Sequence, residues 1–232
     1  NNNALQQHMP AKKTKRQPKI IIGFDETNNG FHLDDPKKRY HFHKNSQMVI
    51  AGCMAQDIIN PYYSQKTVPK RKFFNKERDI KMAQKLGKRY ISENPDYFYT
   101  TIRYLDTKKI GYPLIRANAI ALLTFKFFQH YQLDPRRTRL VIDEMNGEDV
   151  SASAGCFLQG WLENAKLPVK FEITKKADKK FPVVKTADRI AYYLAAIKFL
   201  GKKSHWPYLH RKVSMNQLEH LAAQTQMDQQ QI

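Results

Sequence analysis

An apolar run, Ile20 to Phe24, leads directly into the acidic pair Asp25-Glu26. A strand made almost entirely of apolar residues is typical of a sheet that is covered on both faces, which favours a layered α/β arrangement. The pattern recurs where Leu-Val-Ile precedes Asp143. Because each strand carries a carboxylate to its end, we expect these carboxylates to converge on a divalent metal ion.

The charge of the chain predicts the kind of partner. Its 232 residues suffice for one α/β domain with a sizeable core. Lys and Arg number 40 against 21 Asp and Glu, which gives a formal net charge of +19. Such an excess favours a polyanionic partner, and nucleic acid is the usual one. Paired carboxylates in so basic a chain indicate phosphodiester chemistry with Mg²⁺ or Mn²⁺ as cofactor.

The cysteines and the apolar stretches indicate the compartment. Cys53 and Cys156 are the only cysteines and lack metal-ligand spacing, so we expect free thiols in a reducing environment. We recognise no secretory signal and no apolar stretch long enough to cross a bilayer. We therefore expect an intracellular monomer without a membrane partner, either cytoplasmic or nucleoid-associated.

The order of the predicted elements indicates an α/β fold with a mixed five-stranded sheet flanked by helices. The predicted strands are residues 19–25, 40–43, 47–53, 97–104, 140–143 and 169–173. The predicted helices are residues 76–91, 113–131, 150 to the break at Pro168, and 182–200.

The two ends of the chain differ from this central part in composition. Residues 1–18 are polar and basic and are predicted to be a disordered arm that attracts phosphates or serves as a localisation signal. Residues 19–203 are predicted to form the catalytic domain. Residues 204–232 are predicted to be a partly disordered tail, because the last dozen residues are rich in Gln.

Three motifs resemble the ribonuclease H-like superfamily, and the type 2 ribonucleases H in particular. Gly23-Phe-Asp-Glu-Thr-Asn-Asn-Gly30 is similar to the opening motif Gly-Ile-Asp-Glu-Ala-Gly-Arg-Gly of that family. Val141-Ile-Asp-Glu144 is similar to its strand end Val-Val-Asp-(Gly or Ala). Lys176-Ala-Asp-Lys-Lys-Phe-Pro-Val-Val184 is similar to its late motif Lys-Ala-Asp-Ala-Lys-Tyr-Pro-Val-Val. The resemblance covers roughly residues 19–200.

The resemblance implies a ribonuclease H-like fold and a Mg²⁺-dependent endonuclease that cleaves RNA, in RNA–DNA hybrids, by a two-metal mechanism. Its products would carry a 5′-phosphate and a 3′-hydroxyl. The implied catalytic and metal-binding residues are Asp25, Glu26, Asp143, Asp178 and Asp188. Asp188 comes from a second likeness, to the late Ala-Asp helix of a less characterised group with the same fold, and it competes with Asp178 as the last metal ligand.

Residues expected to contact nucleic acid come from one motif and two basic segments. The opening motif supplies Thr27, Asn28, Asn29 and Gly30. This chain has Asn28-Asn29-Gly30 where the family has Gly-Arg-Gly, so the arginine of the element that senses the ribonucleotide 2′-hydroxyl is missing. The basic segments supply Lys70, Arg71, Lys72, Lys176, Lys179 and Lys180.

Three other functions compete with this interpretation. A nuclease of the same fold could act on DNA or structured RNA instead. A non-catalytic nucleic-acid-binding module could keep the fold and use charge alone. A sugar-kinase or actin-like ATPase also begins with a strand that runs into a Gly-x-Asp turn, but it needs a Gly where Glu26 stands.

Overall fold

The computed structural model describes residues 20–27, 47–56, 85, 87–94, 96–103, 109–144, 148–200 and 209–230. Five strands form one sheet: β1 Ile20–Thr27, β2 Gln47–Gln56, β3 Tyr97–Arg103, β4 Thr138–Asp143 and β5 Lys170–Thr174. The order across the sheet is β3-β2-β1-β4-β5. The first three strands are antiparallel neighbours, whereas β1–β4 and β4–β5 pair in parallel.

Helices account for most of the remaining described chain. They are α1 Tyr112–Tyr131, α2 Glu148–Asn164, α3 Ala177–Lys180, α4 Pro182–Leu200 and α5 Leu218–Gln230. Residues 87–93 are also helical. The predicted class is confirmed: the fold is α/β, with a mixed five-stranded sheet flanked by helices, and is consistent with a ribonuclease H-like fold. The predicted strand at 40–43 and most of the predicted helix at 76–91 lie outside the described residues.

The sheet is covered on both faces, as its apolar strands require. Alternate residues of β1 point to opposite faces. On one face, Ile22 and Phe24 pack in a core with α1, α2 and α5. On the other face, Val141 of β4 packs in a second core with α4. The two cores fix the sides on which the polar residues at the strand ends lie.

Helix α1 is the central helix of the first core. Pro113 lies at its second position, where a missing N–H costs little, and Gly111 precedes it with a φ of 94°. Helix α1 is buried on most of its circumference because it contacts the sheet, α2 and α5. Within the described ranges, no helix combines the length and the apolar character needed to cross a membrane.

The C-terminal segment corrects the prediction that the last dozen residues of a partly disordered tail lack structure. Residues 218–230 form α5, and Leu218, Leu221 and Ala222 are buried in the first core against α1. Just before α5, the Val213 N–H donates to the main-chain oxygen of Tyr99 at the edge of β3 (2.8 Å). The prediction was wrong because a few apolar residues suffice for packing in a segment rich in Gln, and Gln224 itself accepts a hydrogen bond from Gln129 of α1. The domain therefore continues past residue 203.

Replacing Leu221 with Ala tests this packing. Leu221 is 5% exposed, and we expect a loss of about 2 kcal/mol in the free energy of unfolding, the low end for a buried Leu because a peripheral helix can relax. Met227 on the same helix is 62% exposed, so Met227→Ala serves as the control. Urea denaturation followed by circular dichroism measures both. Equal stability of the two variants would contradict the docked position of α5.

Candidate functional site

Asp25 and Asp143 lie at the carboxyl ends of neighbouring parallel strands. The register of β1 and β4 pairs Gly23 with Val141 and Phe24 with Ile142, so the two aspartates follow at the next position. By strand alternation both lie on the face covered by α4. Ligands of open α/β sheets bind outside the carboxyl ends of such strands. The predicted convergence of the two strand ends is therefore present in the fold.

Asp25 is a buried carboxylate among other carboxylates. It is 7% exposed, and its Oδ1 accepts a hydrogen bond from the Glu26 N–H (2.7 Å). Burial raises the pKa of Asp25 well above its usual value, and the charges of Glu26, Asp188 and Asp143 raise it further. Within the described ranges, the hydrogen bond from the Glu26 N–H counters these effects and lowers the pKa. The charged form of Asp25 is therefore destabilised in the absence of a cation.

Asp188 belongs to α4, the helix that covers this face. It is 8% exposed, and its charge acts on Asp25. Helix α4 approaches β1 closely because Gly23 has no side chain: a Cβ there would lie 2.7 Å from the Val184 nitrogen. Asp188 follows Val184 by about one helical turn. The glycine thus allows the helix that carries Asp188 to pack against the strand that carries Asp25.

Asp143 connects the end of β4 to α3. Its Oδ1 accepts a hydrogen bond from the Ala177 N–H (2.6 Å), which fixes the start of this short helix. Burial raises the pKa of the half-buried Asp143, the Ala177 hydrogen bond lowers it, and the charges of Asp178 and Glu26 raise it. Asp178 is half-buried, and its charge raises the pKa of Asp143. Asp188 is buried, and its charge raises the pKa of Asp25. Both candidates for the last ligand therefore lie near the strand ends.

Glu26 lies on the opposite face of the sheet, as the residue after Asp25 in a strand must. Its Oε2 accepts hydrogen bonds from Nε and Nη2 of Arg116 (2.9 and 2.6 Å), and its Oε1 accepts one from the Tyr112 hydroxyl (3.2 Å). This ion pair is buried, with side chains 1% and 9% exposed for Arg116 and Glu26. Both carboxylate oxygens of Glu26 are engaged by α1.

Sequence reasoning missed Arg116 and Tyr112. Arg116 also donates from Nη2 to the main-chain oxygen of Asp143 (2.8 Å), so it contacts both strands that carry the aspartates. The available signal was their spacing: Tyr112 and Arg116 are four residues apart, on one side of a helix that is otherwise mostly apolar. A charged residue on such a helix indicates a buried partner.

The expected nucleic-acid contacts fall into three groups. Thr27 is 6% exposed, on the face of Asp25, so its side chain is largely enclosed. Lys176, Lys179 and Lys180 are exposed on and beside α3, and Lys176 takes a left-handed conformation (φ 55°) where that helix begins. The others lie outside the described residues: Asn28, Asn29, Gly30, Lys70, Arg71 and Lys72.

The donor atoms at the strand ends suit a hard divalent cation. Asp25, Asp143 and Asp188 supply carboxylate oxygens, the ligands that Mg²⁺ prefers, and the buried like charges around Asp25 would be offset by a cation. In the part of the chain that the structure describes, no group of three or more His, Cys, Asp or Glu is arranged to hold a metal ion. Two contacts occupy carboxylate oxygens that could otherwise bind a metal ion: Arg116 donates to Glu26, and the Ala177 N–H donates to one oxygen of Asp143.

Two comparisons with known proteins give no relative for this chain. No protein-family model matches the sequence, and no curated protein matches it. Any function proposed for the carboxylates at the strand ends therefore depends on the residues themselves and on the three motifs that resemble the type 2 ribonucleases H.

Proposed function

We propose that the protein is a divalent-metal-dependent endonuclease that hydrolyses phosphodiester bonds of RNA, in RNA–DNA hybrids, by a two-metal mechanism. The observation that carries the proposal is the position of Asp25. It is buried at the end of β1, beside the end of β4 and under α4, and its pKa is raised by burial and by the surrounding carboxylates. Such an arrangement costs stability, which is common where a site serves function.

The charge around this site supports a polyanionic substrate. The chain carries a net charge of +19, yet carboxylates gather at these two strand ends. The four lysines of residues 175–180 are exposed next to Asp178, on the segment that Asp143 anchors through Ala177. Phosphate groups bound by these lysines would be held next to the carboxylates.

Each group at the site has a role in this proposal. Asp25, Asp143 and Asp188 would hold the ions, with Asp178 beside Asp143. When bound, the ions would activate a water and stabilise the leaving oxygen of the cleaved phosphodiester. Helix α4 keeps Asp25 out of bulk water, and the hydrogen bond from Ala177 orients the Asp143 carboxylate. The exposed lysines bind the phosphates and position the strand to be cut.

The test is cleavage of end-labelled substrates with Mg²⁺, Mn²⁺ or EDTA. The substrates are an RNA–DNA hybrid, RNA, single- and double-stranded DNA, and duplex DNA with one ribonucleotide. Wild-type protein is compared with Asp25→Asn and with Asp228→Asn, which makes the same chemical change at an exposed position of α5. We expect metal-dependent cleavage of the hybrid by the wild type and by Asp228→Asn, and none by Asp25→Asn.

Other results would identify the competing functions. Preferred cleavage of DNA or of structured RNA would keep the nuclease and change its substrate. Salt-sensitive binding of these substrates without cleavage under any metal condition would replace the nuclease with a nucleic-acid-binding module. Equal cleavage by wild type and Asp25→Asn would show that the activity does not come from this site.

A further inference from the structure

Arg116 occupies a position that a charged residue seldom takes. It is 1% exposed in an apolar helix, and burying a guanidinium is unfavourable unless it is paired and hydrogen-bonded. Its partners lie on two different strands: the Glu26 carboxylate on β1 and the main-chain oxygen of Asp143 on β4. A single nitrogen of Arg116, Nη2, donates to both acceptors. One side chain thus bridges the two strands.

The bridge lies where the pairing of the strands stops. The parallel register of β1 and β4 ends with the pair Phe24–Ile142, one position before Asp25 and Asp143. Beyond that pair, β1 remains paired with β2, and β4 remains paired with β5. Arg116 therefore joins two halves of the sheet whose ends carry the two aspartates.

The same contacts determine what Glu26 can do. Both of its oxygens accept hydrogen bonds from α1, on the face opposite Asp25. Reaching the α4 face would require breaking a buried ion pair and leaving the guanidinium uncompensated, which is strongly unfavourable. Glu26 is thus placed to anchor Arg116, and it is not placed to bind an ion with Asp25.

We propose that Arg116 is a positioning residue that clamps the ends of β1 and β4, and that Glu26 anchors it instead of serving as a metal ligand. The expected effect on metal binding rests on the proposed metal-dependent function. The clamp itself is a property of the metal-free protein. A purely neutralising role for Arg116 requires only a positive charge near Glu26. A clamp requires a group that reaches two acceptors at once, which a guanidinium does and an ammonium does less well.

Two substitutions separate these roles in the full chain. Arg116→Lys keeps the charge, and Glu26→Gln keeps an oxygen acceptor for the guanidinium. Mn²⁺ affinity is measured by isothermal titration calorimetry for these variants, for Asp25→Asn and for the wild type. We expect Arg116→Lys to weaken Mn²⁺ binding about tenfold, as substitutions that disturb the orientation of ligands do. Glu26→Gln should weaken Mn²⁺ binding no more than Arg116→Lys does, because it disturbs the anchor of Arg116 and removes no ligand, and Asp25→Asn should lose the most affinity.

Hydrogen exchange in EDTA tests the clamp without any metal. In Arg116→Lys, loss of the bridge should speed amide exchange at residues 24–27 and 141–144 about tenfold relative to the wild type. Residues 20–22 are the internal reference. The double variant Arg116→Met/Glu26→Met repeats the measurement if Arg116→Lys folds poorly, because replacing a whole buried ion pair by apolar residues is often tolerated.

The outcomes are distinct. Unchanged exchange at the strand ends, in either variant, would overturn the clamp. If Arg116→Lys binds Mn²⁺ with wild-type affinity, the role of Arg116 is only to neutralise Glu26. If Glu26→Gln and Asp25→Asn lose the same affinity, Glu26 is a metal ligand. A wild-type protein that binds no Mn²⁺ would reject the proposed function, while the exchange result would still decide the clamp.

Discussion

Asp25→Asn protein is expected to be more stable than the wild type in EDTA and to lack metal-dependent cleavage. Burial and three neighbouring carboxylates raise the pKa of Asp25, so its charged form destabilises the metal-free fold. A neutral amide of the same shape removes that penalty. We expect the free energy of unfolding to rise by about 1 kcal/mol, or Tm by about 3 °C for a domain of this size.

The pH dependence of this gain follows from the direction of the pKa shift. Because the folded-state pKa of Asp25 is raised, its contribution to stability is fully present below the unfolded-state pKa and is lost as pH rises through the folded-state pKa. The advantage of Asp25→Asn should therefore vanish in acid and grow toward neutral pH. Thermal unfolding in EDTA between about pH 4 and about pH 8 measures it.

The control for this experiment is again Asp228→Asn, which should leave Tm unchanged at every pH because Asp228 is exposed. Adding Mg²⁺ should raise the Tm of the wild type and of Asp228→Asn but not that of Asp25→Asn. An Asp25→Asn protein that is less stable than the wild type in EDTA would mean that a cationic or donor group satisfies the carboxylate, and the metal site would lose its main support.

Gly23→Ala is expected to be strongly destabilising and to disrupt the site at the same time. A Cβ at Gly23 would lie 2.7 Å from the Val184 nitrogen and 2.8 Å from the Val183 carbonyl carbon. These are backbone atoms that cannot rotate away, so α4 as a whole must shift from β1. We expect a loss of about 3 kcal/mol or more in the free energy of unfolding, above the usual effect of an added methyl group.

The shift of α4 should also move Asp188 away from Asp25, so the Mn²⁺ affinity of Gly23→Ala protein should fall below that of the wild type. Urea denaturation and Mn²⁺ titration measure the two effects. Gly160→Ala is the matched control, because Gly160 lies in α2 and, apart from its chain neighbours and the backbone of its own helix, no atom of the described residues lies within 4 Å of its added Cβ. That variant should be stabilised by about 0.5–1 kcal/mol. Wild-type stability of Gly23→Ala would contradict the close packing of α4 on β1.

Much of the fold could be predicted because local signals and tertiary packing agree. The apolar runs before Asp25 and Asp143 predict β1 and β4, and the structure places their carboxyl ends side by side. Pro182 and Gly201 flank the predicted helix that matches α4 as Pro182–Leu200. In these places the periodic apolar pattern, the breaker residues and the final packing all favour the same element.

What could not be predicted depends on contacts between distant parts of the chain. The bond between Arg116 and Glu26 joins residues far apart in sequence: the apolar helix around Arg116 indicates a buried partner, but nothing local identifies Glu26 as that partner. Helix α5 has low apolar content, and its stability comes from docking on α1. The close approach at Gly23 is likewise invisible in the sequence, where a glycine in a strand also predicts a bulge.

The segment before α5 has a consequence for how the protein is made. Val213 pairs with Tyr99 on the outer edge of β3, and an exposed strand edge is a template for pairing with other chains. During synthesis, β3 leaves the ribosome long before residue 213 does, so the segment that pairs with its edge is missing for the whole interval. The nascent chain should therefore depend on chaperones more than the finished protein does, and truncation before residue 209 should favour aggregation over simple loss of stability.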